Sequence, residues 1–236
     1  MEITLDPGYI RGILSAEHSA AQQDLQHFGP IEALARSQIR HDERLRSAPG
    51  SGTLACRAGC AWCCYFTVDV RAVEVFRILE RVEHAFSALQ LARLREEVTA
   101  NAAALRELDD LDRMRRNVKC PFLDEARCTI YEVRPQTCRN YHATSALGCQ
   151  ASYENPYDLD IDPEFAPYVY QAGGAHVDAF TRALKEAGYD TDVYELNAAL
   201  EAALSDPQAR ARFEAKDKPF IGLAGRDVPP EFDESD

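Results

Sequence analysis

Cys56-Arg57-Ala58-Gly59-Cys60-Ala61-Trp62-Cys63-Cys64 places four thiols within nine residues. A loop that turns at Gly59 can aim several sulfurs inward at one point. Adjacent side chains do not readily point the same way, so Cys63 and Cys64 suggest either two neighbouring metal sites or one cluster with ligands arriving from different sides. A second group, Cys120, Cys128, Cys138 and Cys149, is spaced by seven, nine and ten intervening residues. That is too wide for one knuckle and requires the chain to wrap around a centre. Eight thiols match two four-cysteine sites, and they also match one cluster with four ligands left over.

The rest of the chain has no cysteine: the first 55 residues and the last 87 contain none. Inert core cysteines would be scattered rather than gathered. Met1-Glu2-Ile3-Thr4-Leu5-Asp6 lacks the basic and apolar regions of a secretory signal, and no run of about 18 apolar residues occurs, so the expectation is a soluble, cytoplasmic chain. In that reducing compartment metal ligation or redox chemistry explains gathered thiols better than structural disulfides do. At 236 residues and 46% hydrophobic, the chain can bury a core without disulfides. A net charge of −13 excludes a general binder of nucleic acid or anionic membrane, which needs a basic surface, so neither partner is expected.

Outward from the cysteines, the pattern is helical. Residues 7 to 46 read as two helices divided at Gly29-Pro30, with Ile31, Leu34 and Ile39 on a loose apolar face. Ser47-Ala48-Pro49-Gly50-Ser51-Gly52 is a breaker. Past Cys64, Tyr65-Phe66-Thr67-Val68 reads as extended. Asp69 is then expected to cap a helix bearing Val75, Leu79, Val82 and Phe86. A second amphipathic helix from about Leu91 to Leu111 carries Leu94, Val98, Leu105 and Leu108, and the two are expected to pair as an antiparallel hairpin.

The second cysteine group, rich in Pro and aromatics, reads as short turns. Asp162-Pro163 starts a helix to about Ala187, weakened by Gly173-Gly174, and Thr191 to Ala203 forms another. The tail from Arg226 to Asp236 reads as a loose acidic arm. The expected fold is mostly α, a helical scaffold with a cysteine-rich, loop-based metal-binding core. Its parts are an N-terminal helical segment (1–52), the cysteine-cluster domain (53–150), a C-terminal helical segment packed on it (151–220) and the tail (221–236).

From Arg113 to Arg139 seven basic residues face three acidic ones, a local net of +4 in an acidic chain. Cations there would offset the negative charge of a four-thiolate centre.

Cys56-x3-Cys60-x2-Cys63-Cys64, followed by Cys120-Pro121-Phe122-Leu123 and by Cys128-Thr129-Ile130-Tyr131-Glu132-Val133-Arg134-Pro135-Gln136-Thr137-Cys138-Arg139, resembles the YkgJ-like cysteine-cluster family, a zinc- or iron-chelating CxxCxxCC domain. The resemblance runs over roughly residues 53 to 150. The first gap holds three residues where the family's short name has two. Members are commonly labelled iron–sulfur oxidoreductases, and a related branch is associated with lysine methylation of flagellin. The resemblance implies metal binding more firmly than any reaction. It also gives Pro121 and Pro135 a role as fixed turns beside thiols, and Phe122, Leu123, Ile130, Tyr131 and Val133 a role as an apolar shell. Arg134 and Arg139 would hydrogen-bond backbone carbonyls or offset thiolate charge.

Rival readings are weaker. Cys56-x3-Cys60-x2-Cys63, with Trp62 before its third cysteine, has the spacing of radical S-adenosylmethionine enzymes, but those need repeated strand-helix units that this sequence lacks. His142 lies in the second cysteine group, yet eight thiols suffice without it. Asp158, Asp160 and Asp162 lack the glycine and terminal glutamate of a calcium loop. No Gly-rich nucleotide loop or acid-base pair of carboxylates stands out, so no catalytic residue is named. All eight cysteines are therefore the expected ligands. The expected cofactor is an iron–sulfur cluster of the four-iron type, serving electron transfer to a protein partner or cluster-assisted chemistry. The alternative is zinc in closed four-cysteine sites of a structural, interaction or metal-handling module.

Overall fold

The computed structural model describes residues 6–232. The first five residues of the N-terminal segment and the last four of the tail lie outside them. In chain order the elements are α1 (Pro7–Phe28), α2 (Pro30–Ser47), β1 (Asp69–Arg71), α3 (Ala72–Ala85), α4 (Ala88–Leu105), α5 (Asp110–Met114), β2 (Leu123–Asp124), β3 (Arg127–Cys128), α6 (Gln136–Asn140), α7 (Ala146–Glu154), α8 (Pro167–Glu186), β4 (Val193–Glu195), α9 (Leu196–Ser205) and α10 (Ala209–Glu214). Helix dominates, and the strands among the described residues form two small antiparallel pairs, β1 with β4 and β2 with β3.

The division at Gly29-Pro30 follows from local chemistry. Asp6 accepts the Gly8 amide at 2.9 Å and caps α1, with Pro7 at the first helical position where a missing N–H costs nothing. Gly29 takes φ 77°, turning the chain sharply before Pro30 opens α2. These two helices pack with α8 into one layer. Ile10, Ile13, Leu14, Leu45, Ala172, Ala175 and Ala179 fill it. The doublet Gly173-Gly174 does not weaken α8. A Cβ on Gly173 would stand 1.7 Å from Asn140 Oδ1, and one on Gly174 would stand 2.7 Å from the Phe232 ring. Small residues there let α6 and the tail lie against the helix.

A second layer gathers α3, α4, α9 and α10 around Phe76, Ile78, Leu94, Val98, Leu200 and Phe213. Here the structure departs from the sequence reading. Asp69 is not a helix cap: it lies in β1, where its carboxylate pairs with Arg226, and α3 starts at Ala72 with Glu74 accepting the Arg71 amide at 2.7 Å. Ser87 and Gln90 form a capping box for α4. Helices α3 and α4 do not close as a hairpin, because α9 packs on both. The helix expected to reach Leu111 stops at Leu105, and Asp109 caps the separate α5 through the Asp112 amide at 2.8 Å.

Helix α8 starts at Pro167, not Pro163, because residues before it bridge back to the second cysteine group: the Thr144 amide donates to the Glu164 carbonyl at 2.8 Å. Tail residues 221–232 run along the body. Val193 and Arg226 exchange backbone bonds of 2.8 and 3.0 Å, and the buried Phe232 donates its amide to Asp178 at 2.9 Å. The Phe232 ring and the Val193–Arg226 backbone bridge lie against the body in this part of the tail. Among the described residues no helix is long and apolar enough to cross a membrane.

Candidate metal centre

The first cysteine loop is shaped by short turns. Gly59 adopts φ 89°, which lets the Cys60 amide donate to the Arg57 carbonyl at 3.0 Å. A 3₁₀ turn over Trp62–Tyr65 then carries Cys63 and Cys64, with the Cys64 amide bonded to the Ala61 carbonyl at 3.0 Å. Backbone bonds tie this loop to the second group at both ends. The Cys120 amide donates to the Cys64 carbonyl at 2.8 Å and the Val118 amide to the Tyr65 carbonyl at 2.9 Å, while the Ala55 amide donates to the Ala143 carbonyl at 2.9 Å.

The second group wraps as its spacing requires. Cys120 opens a turn closed by the Leu123 amide at 3.0 Å, and the β2–β3 hairpin sets Cys128 opposite Leu123. Glu125 (φ 44°) and Ala126 (φ 60°) make the hairpin turn. Phe122, Leu123, Ile130 and Val133 are buried as the apolar shell, whereas Tyr131 is exposed, its ring under the Arg134 guanidinium at 4.0 Å. Cys138 rides on α6. Cys149 rides on α7, which packs on the Trp62–Tyr65 turn. Tyr153 of α7 seals that contact, with ring centroids 5.3 Å from Trp62 and 5.0 Å from Tyr65.

All eight cysteines are free thiols; Cys56 is exposed, Cys149 buried and the others between. Among the described residues no three His, Cys, Asp or Glu side chains already stand at the mutual spacing that holds a metal ion. The thiols are gathered without closing on a common point. They fall into neighbourhoods: charge on Cys56, Cys63 and Cys60 acts on Cys149, and charge on Cys120, Cys63 and Cys128 acts on Cys138.

The donor set suits a thiophilic metal. Burial pushes the Cys120 thiol up to about 12 and Cys149 up to about 11, and it raises Cys138, Cys128 and Cys56 as well. The hydrogen bond with Cys64, followed by burial, raises Cys63 far above an ordinary thiol. Thiolates in such a place need a bound cation to exist at neutral pH. Backbone amides favour the same form: Phe122 donates toward the Cys120 sulfur, Ile130 toward Cys128 and Ala143 toward Cys56. These amide–sulfur bonds fit anionic ligands.

The two arginines take different parts. Arg134 is the cation whose field favours thiolate at Cys56, Cys63 and Cys128, and it donates to the Tyr131 carbonyl at 2.9 Å. Arg139 is buried, donating to Asp42 of α2 at 2.6 Å and to the Glu132 carbonyl at 2.5 Å. It fastens the cysteine segment to the helical layer. His142 is mostly buried and feels Arg134, the Arg139 carbonyl, His41 and Asp42.

Glu74 escaped the sequence reading because it looks like an ordinary helix-start acid. Its buried carboxylate accepts the Gln136 amide at 2.7 Å as well as that of Arg71, so it fixes the start of α6 and thereby Cys138. Glu74→Ala would leave two amides without their acceptor. The expected loss is about 3 kcal/mol, read from denaturant unfolding, with at most about half restored by Glu74→Gln, whose one carbonyl oxygen can serve only one of the two amides. An unchanged midpoint in the alanine variant would show that water or rearrangement replaces the carboxylate.

Fold and site together define a helical protein with a thiol-lined loop region. Residues 55–160 match the CxxCxxCC family, described as a putative zinc- or iron-chelating domain, and the matched span contains all eight cysteines. No curated protein and no solved structure shows significant similarity to the chain. The family match supports metal binding and does not separate zinc from iron.

Proposed function

We propose that the chain carries an iron–sulfur centre, of the four-iron type, and works in a reducing compartment as an electron-transfer or cluster-assisted redox protein with a protein partner. The observation behind this reading is the donor set: eight gathered thiols, three of them met by backbone amides, under a cover of aromatic rings. Hydrogen bonds to sulfur and exclusion of water are the means by which a protein sets the potential of such a centre. When bound, an iron–sulfur centre accepts and releases single electrons. Four of the cysteines would hold each such cluster, Arg134 would offset its negative charge, and Trp62, Tyr65 and Tyr153 would keep water from one side.

Zinc in closed, structural sites is the second reading. It is favoured by the position of the surface cavities: one of 590 Å³ is lined by Arg115 and residues 154–160, another by Arg71, Asp178 and the tail, and neither by a cysteine. Neither of these two cavities would set a substrate beside the thiols. The deciding measurement is metal and acid-labile sulfide content, with a visible spectrum, on protein purified without oxygen. Iron with sulfide and a brown colour bleached by dithionite is the expected result. Stoichiometric zinc, colourless and without sulfide, would replace the redox reading with a structural or metal-handling module.

A further inference from the structure

We propose that the eight thiols form two separate four-thiolate centres that abut at Cys63-Cys64. Cys56, Cys60 and Cys149 belong to one, Cys120, Cys128 and Cys138 to the other, and the adjacent pair gives each its fourth ligand. The inference rests on the metal-binding reading and goes beyond it by dividing the ligands.

The backbone carries the argument. Cys149 lies far from the first loop in sequence but is delivered to it by α7, which docks on the Trp62–Tyr65 turn through Tyr153. The same side of the loop is closed by the Ala55–Ala143 bond, and the Cys56 sulfur lies 4.0 Å from the Tyr141 carbonyl. Cys120 is brought to the other side by its bond to the Cys64 carbonyl. The hairpin then supplies Cys128, and α6, pinned by Glu74, supplies Cys138.

The electrostatic neighbourhoods agree with this division. Cys149 is acted on by Cys56 and Cys60, and Cys138 by Cys120 and Cys128, while Cys63 reaches both sets. Cys63 and Cys64 are hydrogen-bonded to each other, which places the pair at the seam.

The test compares metal content per chain across serine variants of the full chain, purified without oxygen. Cys60→Ser and Cys149→Ser should each lose half of the bound metal, and so should Cys128→Ser and Cys138→Ser. The double variant Cys60→Ser/Cys149→Ser should lose no more than either single change, because both strike one centre. Cys60→Ser/Cys128→Ser should lose all of it. A variant that fails to fold is bypassed by the unmodified chain: under partial metal stripping, alkylation mapped by mass spectrometry should expose Cys56, Cys60 and Cys149 together and Cys120, Cys128 and Cys138 together, at different chelator concentrations. Complete metal loss from any single variant that keeps its helical content, or simultaneous exposure of all eight thiols, would overturn the division while leaving metal binding intact. A native chain that holds no metal would instead remove the reading on which the division rests.

Discussion

Stripping the metal from the loaded protein is expected to melt the cysteine loops while α1, α2 and α8 stay folded. The loops have little regular secondary structure of their own. Between α2 and β1 the chain makes only two 3₁₀ turns, and between α5 and α7 only two-residue strands, a 3₁₀ turn and the five-residue α6. The backbone bonds joining the two cysteine groups number three in the Cys64, Tyr65 and Ala143 contacts. A four-thiolate metal site contributes about 10–16 kcal/mol in small zinc domains, more than those contacts supply. The helical layer depends on its own apolar faces and should survive. After chelation, trypsin should cut rapidly at the exposed Arg57, Lys119 and Arg127, while far-ultraviolet circular dichroism falls only modestly. Unchanged cleavage at all three would show that the loops stand without metal.

What could be read from the sequence divides along a physical line. Local chemistry was legible: Gly29-Pro30 as a break, Gly59 as a turn beside Cys60, and the two cysteine groups as a single metal-binding region. Partnerships set by distant residues were not. The turn at Phe86-Ser87 invites a hairpin, but the choice between a hairpin and two helices that both seat on α9 depends on residues 196–205, far along the chain. Asp69 is a good helix cap by type, and only Arg226 and β4 make it a strand residue. Gly173-Gly174 weakens an isolated helix, yet here it admits Asn140 and Phe232. Arg139 was found beside a thiol, but Asp42 on α2 decides which way it faces. Cys149 shows the same limit at the metal centre, since its neighbours depend on how α7 docks.

Glu17→Ala is expected to destabilise the protein by about 3–5 kcal/mol, the cost of breaking a buried ion pair by removing one partner. The Glu17 side chain is wholly buried between α1, α2 and α8. Its carboxylate accepts Arg40 Nε at 2.7 Å and Nη2 at 2.8 Å, and the Ser37 hydroxyl at 2.7 Å. The Ser37 oxygen also lies 3.0 Å from His176 Nε2, and Arg44 donates to His176 Nδ1 at 3.2 Å. Removing the carboxylate leaves two cationic side chains crowded together, with Asp24 the remaining anionic partner given to Arg40. Glu17→Gln keeps the shape and one acceptor oxygen but not the charge, so its loss should be about half as large. The network lies in the helical layer, joined to the cysteine segment through Arg139 and Asp42. If the layer is a scaffold and the loops a separately organised centre, Glu17→Ala should lower the denaturant midpoint while the folded variant retains full metal content. Proportionate loss of metal from folded protein would instead mean that the bundle and the thiols form one cooperative unit.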